Sequence, residues 1–448
     1  MLWYKTMNVL ERYHVSGGGA QEIAASVEAA VRGGRLAPGD ALPTVRDLAA
    51  ELGVSPGTVA AAYAALRRRG LVVTAGRRGT RVRGRPPLPA HPVPPRRDGV
   101  RDLAAGSPDP ELLPALAPVL GGLAPARRLY DESPNLPALV EIARGQFDRD
   151  GVPAGPVAVV SGALDGIERV LVAQTRPGDR VAVEDPGFPP VFDLLAVLGL
   201  TPEPVRLDRG GPVPEALERA LAARAVALVV TPRAQNPTGA ALGAGRAAEL
   251  GAVLDRHPDV LVVEDDHAGQ VAGAPYRTLA SGRRRWAVVR SVSKTLGPDL
   301  RLAVLGGDPD TVARVEGRQL LGPGWVSHLL QATVAALWTD EATGRLLERA
   351  AAAYAARRAA LLEALTGHGI AASGDSGLNV WIPVPEEARA AAALLDAGWA
   401  VAAGERYRLR SPSAVRVTVA TLRQPEEAER LAATLAGALA PPRRTHPA

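Results

Sequence analysis

A chain of 448 residues with 47% hydrophobic and 22% charged residues is globular in composition and long enough for two or three domains. It contains no cysteine, which excludes disulfides, thiolate metal sites and cysteine nucleophiles; its seven histidines show no HxxxH or HExxH spacing, so no metal site is expected. The net charge of +5 is unevenly placed: residues 20–85 hold eleven arginines against five acids, so the remainder is close to neutral, as for a nucleic-acid-binding module on a neutral body.

In chain order, residues 1–19 read as an irregular leader with no signal peptide, and residues 20–84 as a compact helix-rich unit. No apolar run approaches the roughly 20 residues of a membrane helix, so a soluble, cytoplasmic protein without a membrane partner is expected. The spacing of Val45, Leu48, Ala49 and Leu52 predicts a helix over 44–52 with Thr44 as its cap. Gly53-Val54 makes a turn. Ser55 caps a second helix, Pro56 suits its first position, Val59, Ala62, Tyr63 and Leu66 form its apolar stripe, and Gly70 stops it. Two short helices with a tight turn predict a helix-turn-helix. Two short β runs, 71–74 and 80–83, joined through Gly76-Arg77-Arg78-Gly79, predict a wing.

The chemistry that suits this unit is recognition of double-stranded DNA. Ser55, Gly57 and Thr58 would lead the second helix into the major groove. Arg67, Arg68 and Arg69 at its far end, and Arg77 and Arg78 on the wing, suit phosphate contacts. Arg46, early on the preceding helix, suits a base or a phosphate. The stretch GDALPTVRDLAAELGVSPGTVAAAYAALRRRGLV, with the later GRRGTRV, resembles the DNA-binding domain of the GntR family over about 65 residues. It departs from that pattern at Thr44, where serine is usual, and at Pro56, where arginine is usual; the second change bears on the operator read and not on the fold.

Residues 85–100, RPPLPAHPVPPRRDGV, carry six prolines and read as a semi-rigid linker. From 101 to 440, near-continuous apolar β runs alternate with helical runs: VAVV (157–160), RVAVE (180–184), ALVVT (227–231), VLVVED (260–265) and WAVVRSV (286–292). That predicts an α/β domain with a largely parallel sheet buried on both faces. The tail 441–448 reads as disordered.

Of the 52 basic residues only Lys5 and Lys294 are lysines. Arginine is effectively never deprotonated, whereas lysine can offer a neutral amine to a carbonyl. Lys294 stands in RSVSKTLGPDLRLAVLGG, just after a buried-looking strand, where a Schiff base with pyridoxal 5′-phosphate would account for it. The segment Ser161-Gly162-Ala163 lies between the VAVV strand and a helical run, and backbone N–H groups at such a helix start can cradle a phosphate.

These motifs resemble fold-type I aminotransferases through most of 101–440, with a small C-terminal α+β domain at about 320–440. The resemblance implies Ser291 and Arg301 on the phosphate, Lys294 as the Schiff-base amine, Asp265 on the pyridine nitrogen, Asn236 on the ring hydroxyl, Phe188 stacked on the ring, Tyr130 reaching the phosphate of a neighbouring subunit, and Arg416 gripping a carboxylate. His267 stands where that family has a tyrosine. Histidine can also donate there and titrates near neutrality, so a cofactor spectrum sensitive to pH between 6 and 8 is expected.

The order winged helix, proline-rich linker, aminotransferase-like domain resembles the MocR subfamily of regulators. It implies a domain-swapped homodimer that binds a DNA operator and senses a small amine, an amino acid or pyridoxal phosphate itself. The alternative is a working aminotransferase with an appended DNA-binding domain.

Overall fold

The structure is a computed structural model that describes residues 15–32, 35–37, 39–68, 71–74, 79–82, 99–124 and 129–440. The chain divides into two units, one built mainly on the N-terminal residues and one on the remainder.

The N-terminal unit contains α1 (Ala20–Arg32), α2 (Val45–Leu52), α3 (Pro56–Arg68) and an antiparallel hairpin of β1 (Val72–Thr74) and β2 (Thr80–Val82), with Val72 opposite Val82. Thr44 caps α2: its hydroxyl accepts from the Asp47 amide at 3.2 Å and donates to the Asp47 carboxylate at 2.7 Å. Gly53 ends α2 in the left-handed conformation, φ 66°, where a Cβ would be strained. Ser55 accepts from the Thr58 amide at 3.1 Å and so caps α3. The two short helices, their turn and the wing are therefore as the spacing predicted. Two features are new. The sequence pattern did not single out α1, yet Ile23, Ala24 and Val27 on it are fully buried. Val15, read as part of an irregular leader, is 2% exposed and belongs to the same core, with Leu48, Val59, Tyr63 and Leu66. Tyr63 ties that core to the backbone by donating to the Pro43 carbonyl at 2.9 Å.

The large unit is built on β3 (Arg101–Asp102), β4 (Val157–Val160), β5 (Arg180–Asp185), β6 (Thr201–Asp208), β7 (Gly211–Pro212), β8 (Ala225–Val230), β9 (Leu261–Asp266), β10 (Trp286–Ser291) and β11 (Ala303–Gly307). Its main sheet has the order β4-β11-β10-β9-β8-β5-β6-β7. β8, β9 and β10 run parallel, while β11 is antiparallel to both β10 and β4. The expected sheet was largely parallel; β11, inserted between β4 and β10, and the short β7, antiparallel to β6, are departures. β4, β9, β10 and β11 are buried along their whole length, which is why they read as unbroken apolar runs rather than alternating ones. A smaller sheet of β12 (Asn379–Pro383), β14 (Ala402–Ala403) and β15 (Ala414–Thr418) has β15 at its centre, while β13 (Trp399–Ala400) pairs in parallel with β3. Helices Glu341–Gly367, Glu387–Asp396 and Pro425–Leu439 supply Leu361, Leu394 and Leu431 to its core.

Because β4, β8, β9 and β10 point the same way, their C-terminal ends share one edge of the sheet. That edge carries Ser161-Gly162, residues 231–236, Asp265 and Ser291 to Lys294. Open α/β sheets place ligands at this edge.

Candidate functional site

Lys294 follows β10, and its Nζ donates to the Gly106 carbonyl at 2.7 Å. Burial, with the neighbouring Arg416 charge, lowers its pKa to about 8, so a useful fraction of the amine is neutral near pH 7. Asp265, the penultimate residue of β9, is 4% exposed, and its Oδ1 has no hydrogen-bond partner among the described residues. Burial raises its carboxyl to about 7, helped by repulsion from Asp266 and Glu184.

A buried carboxylate oxygen without a donor costs free energy unless a ligand supplies one. The adjacent Asp266 shows the opposite arrangement. Arg233 reaches it at 2.8 and 2.9 Å and Arg290 at 2.6 Å, and these cations hold it well below the usual carboxylate range despite burial. Arg290 also pairs with Asp150 at 2.5 Å. Two neighbouring aspartates are thus divided, one locked into the scaffold by two arginines and one with an oxygen left without a donor among the described residues. Glu184, buried on β5, accepts from the Thr231 amide and from Gln235 Nε2, each at 3.1 Å, and burial raises it to about 7.

Gly162 precedes the helix Ala163–Gln174 with φ 104°, and a Cβ there would lie 3.2 Å from Arg301 Nη2. A helix start and a guanidinium therefore meet where any side chain would intrude. This is a donor set for a dianion. The Ser161 amide donates to Asp165 at 2.9 Å, so its own contribution to an anion would be the hydroxyl. Ser291 is buried, and its hydroxyl accepts from the Ser293 amide at 3.2 Å.

Arg416, at the centre of β15, is 3% exposed. Its Nη1 donates to Asn236 Oδ1 at 3.0 Å and its Nη2 to the Ala104 carbonyl, while its buried Nε has no partner among the described residues. The guanidinium lies over the Tyr407 ring, 4.9 Å from its centroid. Gly106, with φ 69°, passes so close that a Cβ would sit 3.4 Å from the guanidinium nitrogens. One short segment, residues 104–106, therefore accepts from both Lys294 and Arg416. Sequence reading missed this segment; its one signal is a glycine that backbone geometry requires. It also missed Asn379, whose amide approaches Asn236 Oδ1 at 3.4 Å, and the Arg233–Asp266–Arg290 group.

Lys294, Asn236 and Arg416 come together, and Arg301 meets Gly162. Phe188 is half-buried after β5. Tyr130 stands apart: it is 92% exposed and packs edge-on to Trp325 at 5.7 Å. His267 requires a correction. Its Nε2 lies 2.8 Å from the Ala234 carbonyl, and desolvation, with repulsion from Lys294, lowers its pKa to about 4. The ring is neutral from pH 6 to 8, so titration in that window is not expected of it.

In the N-terminal unit, Arg46, Ser55, Gly57 and Arg67 are exposed and Thr58 is partly so, with Ser55 and Thr58 hydroxyls 2.9 Å apart. The Arg68 side chain and Arg69, Gly70, Arg77 and Arg78 lie outside the described residues. Among the described residues no group of acids and histidines could hold a metal ion, and no helix is long and apolar enough to cross a membrane.

Residues 19–82 match the model of bacterial regulatory proteins of the gntR family, and residues 138–435 match aminotransferase class I and II. The vitamin B6 salvage pathway transcriptional repressor PtsJ of Salmonella typhimurium is 42% identical over 416 residues, spanning 92% of this chain and 96% of its own. The HTH-type transcriptional regulator TauR of Rhodobacter capsulatus is 31% identical, over 79% of this chain and 81% of its own. The HTH-type pyridoxine biosynthesis transcriptional regulator PdxR of Corynebacterium glutamicum is 30% identical, over 77% and 78%. Among solved structures, the kynurenine aminotransferase of Pyrococcus horikoshii superposes with a TM-score of 0.70 at 20% identity, covering 76% of this chain and 91% of its own, a likeness of fold.

The chain belongs to the MocR-type regulators, in which a gntR-family helix-turn-helix precedes an aminotransferase class I and II domain. It is a transcription regulator. Its N-terminal domain implies DNA binding, and its large domain implies dependence on pyridoxal phosphate.

Proposed function

We propose that this regulator holds pyridoxal 5′-phosphate on Lys294 and that the cofactor is its signal, with genes of vitamin B6 supply as its targets. The observation that carries the cofactor assignment is the orphaned Oδ1 of buried Asp265 on the edge that also presents the Lys294 amine. Two relatives support the choice of signal, since their names tie them to vitamin B6 salvage and to pyridoxine biosynthesis.

The residues present fit the group. Arg301 and the helix start at Gly162 would take the phosphate, with Ser161 and Ser291. Asp265 would pair with the pyridine N–H, Asn236 would face the ring hydroxyl, and Phe188 would stack on the ring. Bound there, pyridoxal phosphate supplies an aldehyde that condenses with primary amines and a ring that withdraws electrons. Lys294 serves as the attacking amine because its site keeps it partly neutral. To do so it must leave the Gly106 carbonyl, which frees one end of segment 104–106. That segment lies a few residues after the proline-rich linker, so its release is a route by which cofactor status reaches the DNA-binding unit.

Arg416 motivates a second reading, in which an amino acid would be the effector and Arg416 would clamp its carboxylate. The clamp would have to displace the Ala104 carbonyl. The assembly is a cytoplasmic, domain-swapped homodimer, with exposed Tyr130 reaching the partner's phosphate and Ser55, Gly57, Thr58 and the arginines of the winged helix on the operator.

Gel-shift titration of apo and cofactor-loaded protein, with and without a panel of amino acids, tests both readings. A change on loading alone supports the cofactor as signal. A change that requires an amino acid supports the second reading. Equal DNA affinity in every state defeats both. Sustained turnover with a 2-oxo acid would instead bring back the aminotransferase.

A further inference from the structure

His267 follows Asp265 by two residues and stands where the aminotransferases that this domain resembles carry a phenol. A phenol donates a hydrogen bond. The geometry around His267 assigns the ring the opposite role.

Its Nε2 is 2.8 Å from the carbonyl oxygen of Ala234. A carbonyl can only accept, so Nε2 must carry the hydrogen. The charges facing the ring come from three elements. Lys294 after β10 and Arg233 after β8 oppose protonation, and Asp266 at the end of β9 favours it. Asp266 is itself spent on Arg233 and Arg290. Burial and the two cations prevail, and the pKa falls to about 4. The neutral ring therefore has a single hydrogen, committed to Ala234. Its Nδ1 is therefore left as a lone pair that can only accept.

We propose that His267 is a positioning residue that accepts, rather than donates, a hydrogen bond at Nδ1, and that it takes the hydroxyl proton of the pyridoxal ring. This rests on the preceding reading of the site as one for pyridoxal phosphate. The Ala234 carbonyl is the fixed element that sets the tautomer. It belongs to the segment that also carries Asn236, so one stretch of backbone would align both side chains toward the ring oxygen.

The consequence is a shift in where one proton rests. A donor at this position favours the ring oxygen as an anion, with the proton on the nitrogen that links ring and lysine; that form is yellow. An acceptor favours the proton on the ring oxygen, the form that absorbs at shorter wavelength. His267 thereby holds the resting cofactor in the less electrophilic state. That suits a protein that retains its ligand as a signal better than one that must turn over.

Two measurements test this. The first needs no cofactor. With 15N-labelled histidine in the full-length protein, and the His267 signal assigned by its loss in His267→Asn, Nδ1 is expected to show an unprotonated ring nitrogen throughout pH 6 to 8. A protonated Nδ1, or a doubly protonated ring at pH 7, overturns the proposal. The second compares absorption spectra after loading with pyridoxal phosphate. His267→Tyr is expected to raise the ratio of yellow to shorter-wavelength form about fivefold, the ratio that one net hydrogen bond sustains. His267→Asn, which can donate through its amide, is expected to move it in the same direction and covers the case in which the tyrosine variant does not fold. Equal ratios in wild type and variants also overturn the proposal. Protein that takes up no pyridoxal phosphate would sink the reading of the site instead, and the first measurement would still decide the tautomer.

Discussion

Arg46 and Arg416 carry the same guanidinium into opposite settings. Arg46 lies exposed on α2 of the winged helix. Arg416 is 3% exposed on β15, with partners at Asn236 and Ala104 and its Nε unmatched. In water a guanidinium binds phosphate chiefly by releasing counterions, so its worth depends on salt and little on its exact position. In a desolvated site the same group is costly to hold, and it repays that cost only to a ligand that meets its fork. The two regions thus offer an anion different physics: a diffuse field at one end, fixed and partly unsatisfied donors at the other.

The contrast also governs what could be read from the sequence. The winged helix is local: caps at Thr44 and Ser55, a left-handed glycine at 53 and an apolar stripe on α3 all lie between residues 44 and 66, so spacing alone predicts it. What escaped was α1, whose role depends on tertiary packing, and Val15, which the structure buries in the same core. In the large domain Lys294 stood out because lysine is rare in this chain, and Asp265 and Asn236 because their motifs resemble those of fold-type I aminotransferases. The Gly106 and Ala104 carbonyls were not legible, since a backbone acceptor leaves no mark on residue type. His267 was located but misjudged: its ordinary pKa describes a ring in water, whereas burial and Lys294 decide its state here.

The largest expected effect is at Lys294. Lys294→Arg keeps the cation but removes the neutral amine, so borohydride reduction after incubation with pyridoxal phosphate should leave no cofactor mass on the site peptide, against full labelling of wild type. Apo Lys294→Arg should bind DNA as apo wild type does. Covalent labelling elsewhere at the same stoichiometry would break the assignment.

Asp265→Ala comes next. Losing a charge-assisted partner to the pyridine nitrogen should weaken cofactor affinity by about 10- to 100-fold, the range for hydrogen bonds to charged groups, read by equilibrium titration. An unchanged affinity would mean that the orphaned Oδ1 serves no ligand. The lysine also sets a pH dependence. Its pKa is lowered to about 8, and the attacking form is the neutral amine, so uptake should accelerate about tenfold per pH unit below that value and level off above it. A rate that falls as pH rises would contradict the sign.

On the exposed side, Arg46→Ala should weaken DNA binding and reduce the slope of log affinity against log salt by about 1, the loss of one phosphate contact. The spectrum and affinity of the bound cofactor should not change. If the slope is unaltered while sequence preference relaxes, Arg46 reads a base instead.

The smallest effect sharpens the comparison most, because it asks whether the two regions are energetically separate. Thr44 caps α2 through the Asp47 amide at 3.2 Å and adds a bond to the Asp47 carboxylate at 2.7 Å. Removing an N-cap costs about 1 kcal/mol. Thr44→Ala should therefore lower hydrogen-exchange protection of α2 and α3 about fivefold, since the two helices share Leu48, Val59 and Tyr63 in one core. Protection of β9 and β10, which carry Asp265 and lead to Lys294, should stay as it was, because none of their buried side chains belongs to that core. Equal loss of protection in both regions would mean that the chain opens as one cooperative unit. The exposed and the buried anion sites would then be coupled through stability itself, and a signal from Lys294 would need no dedicated segment to reach the winged helix.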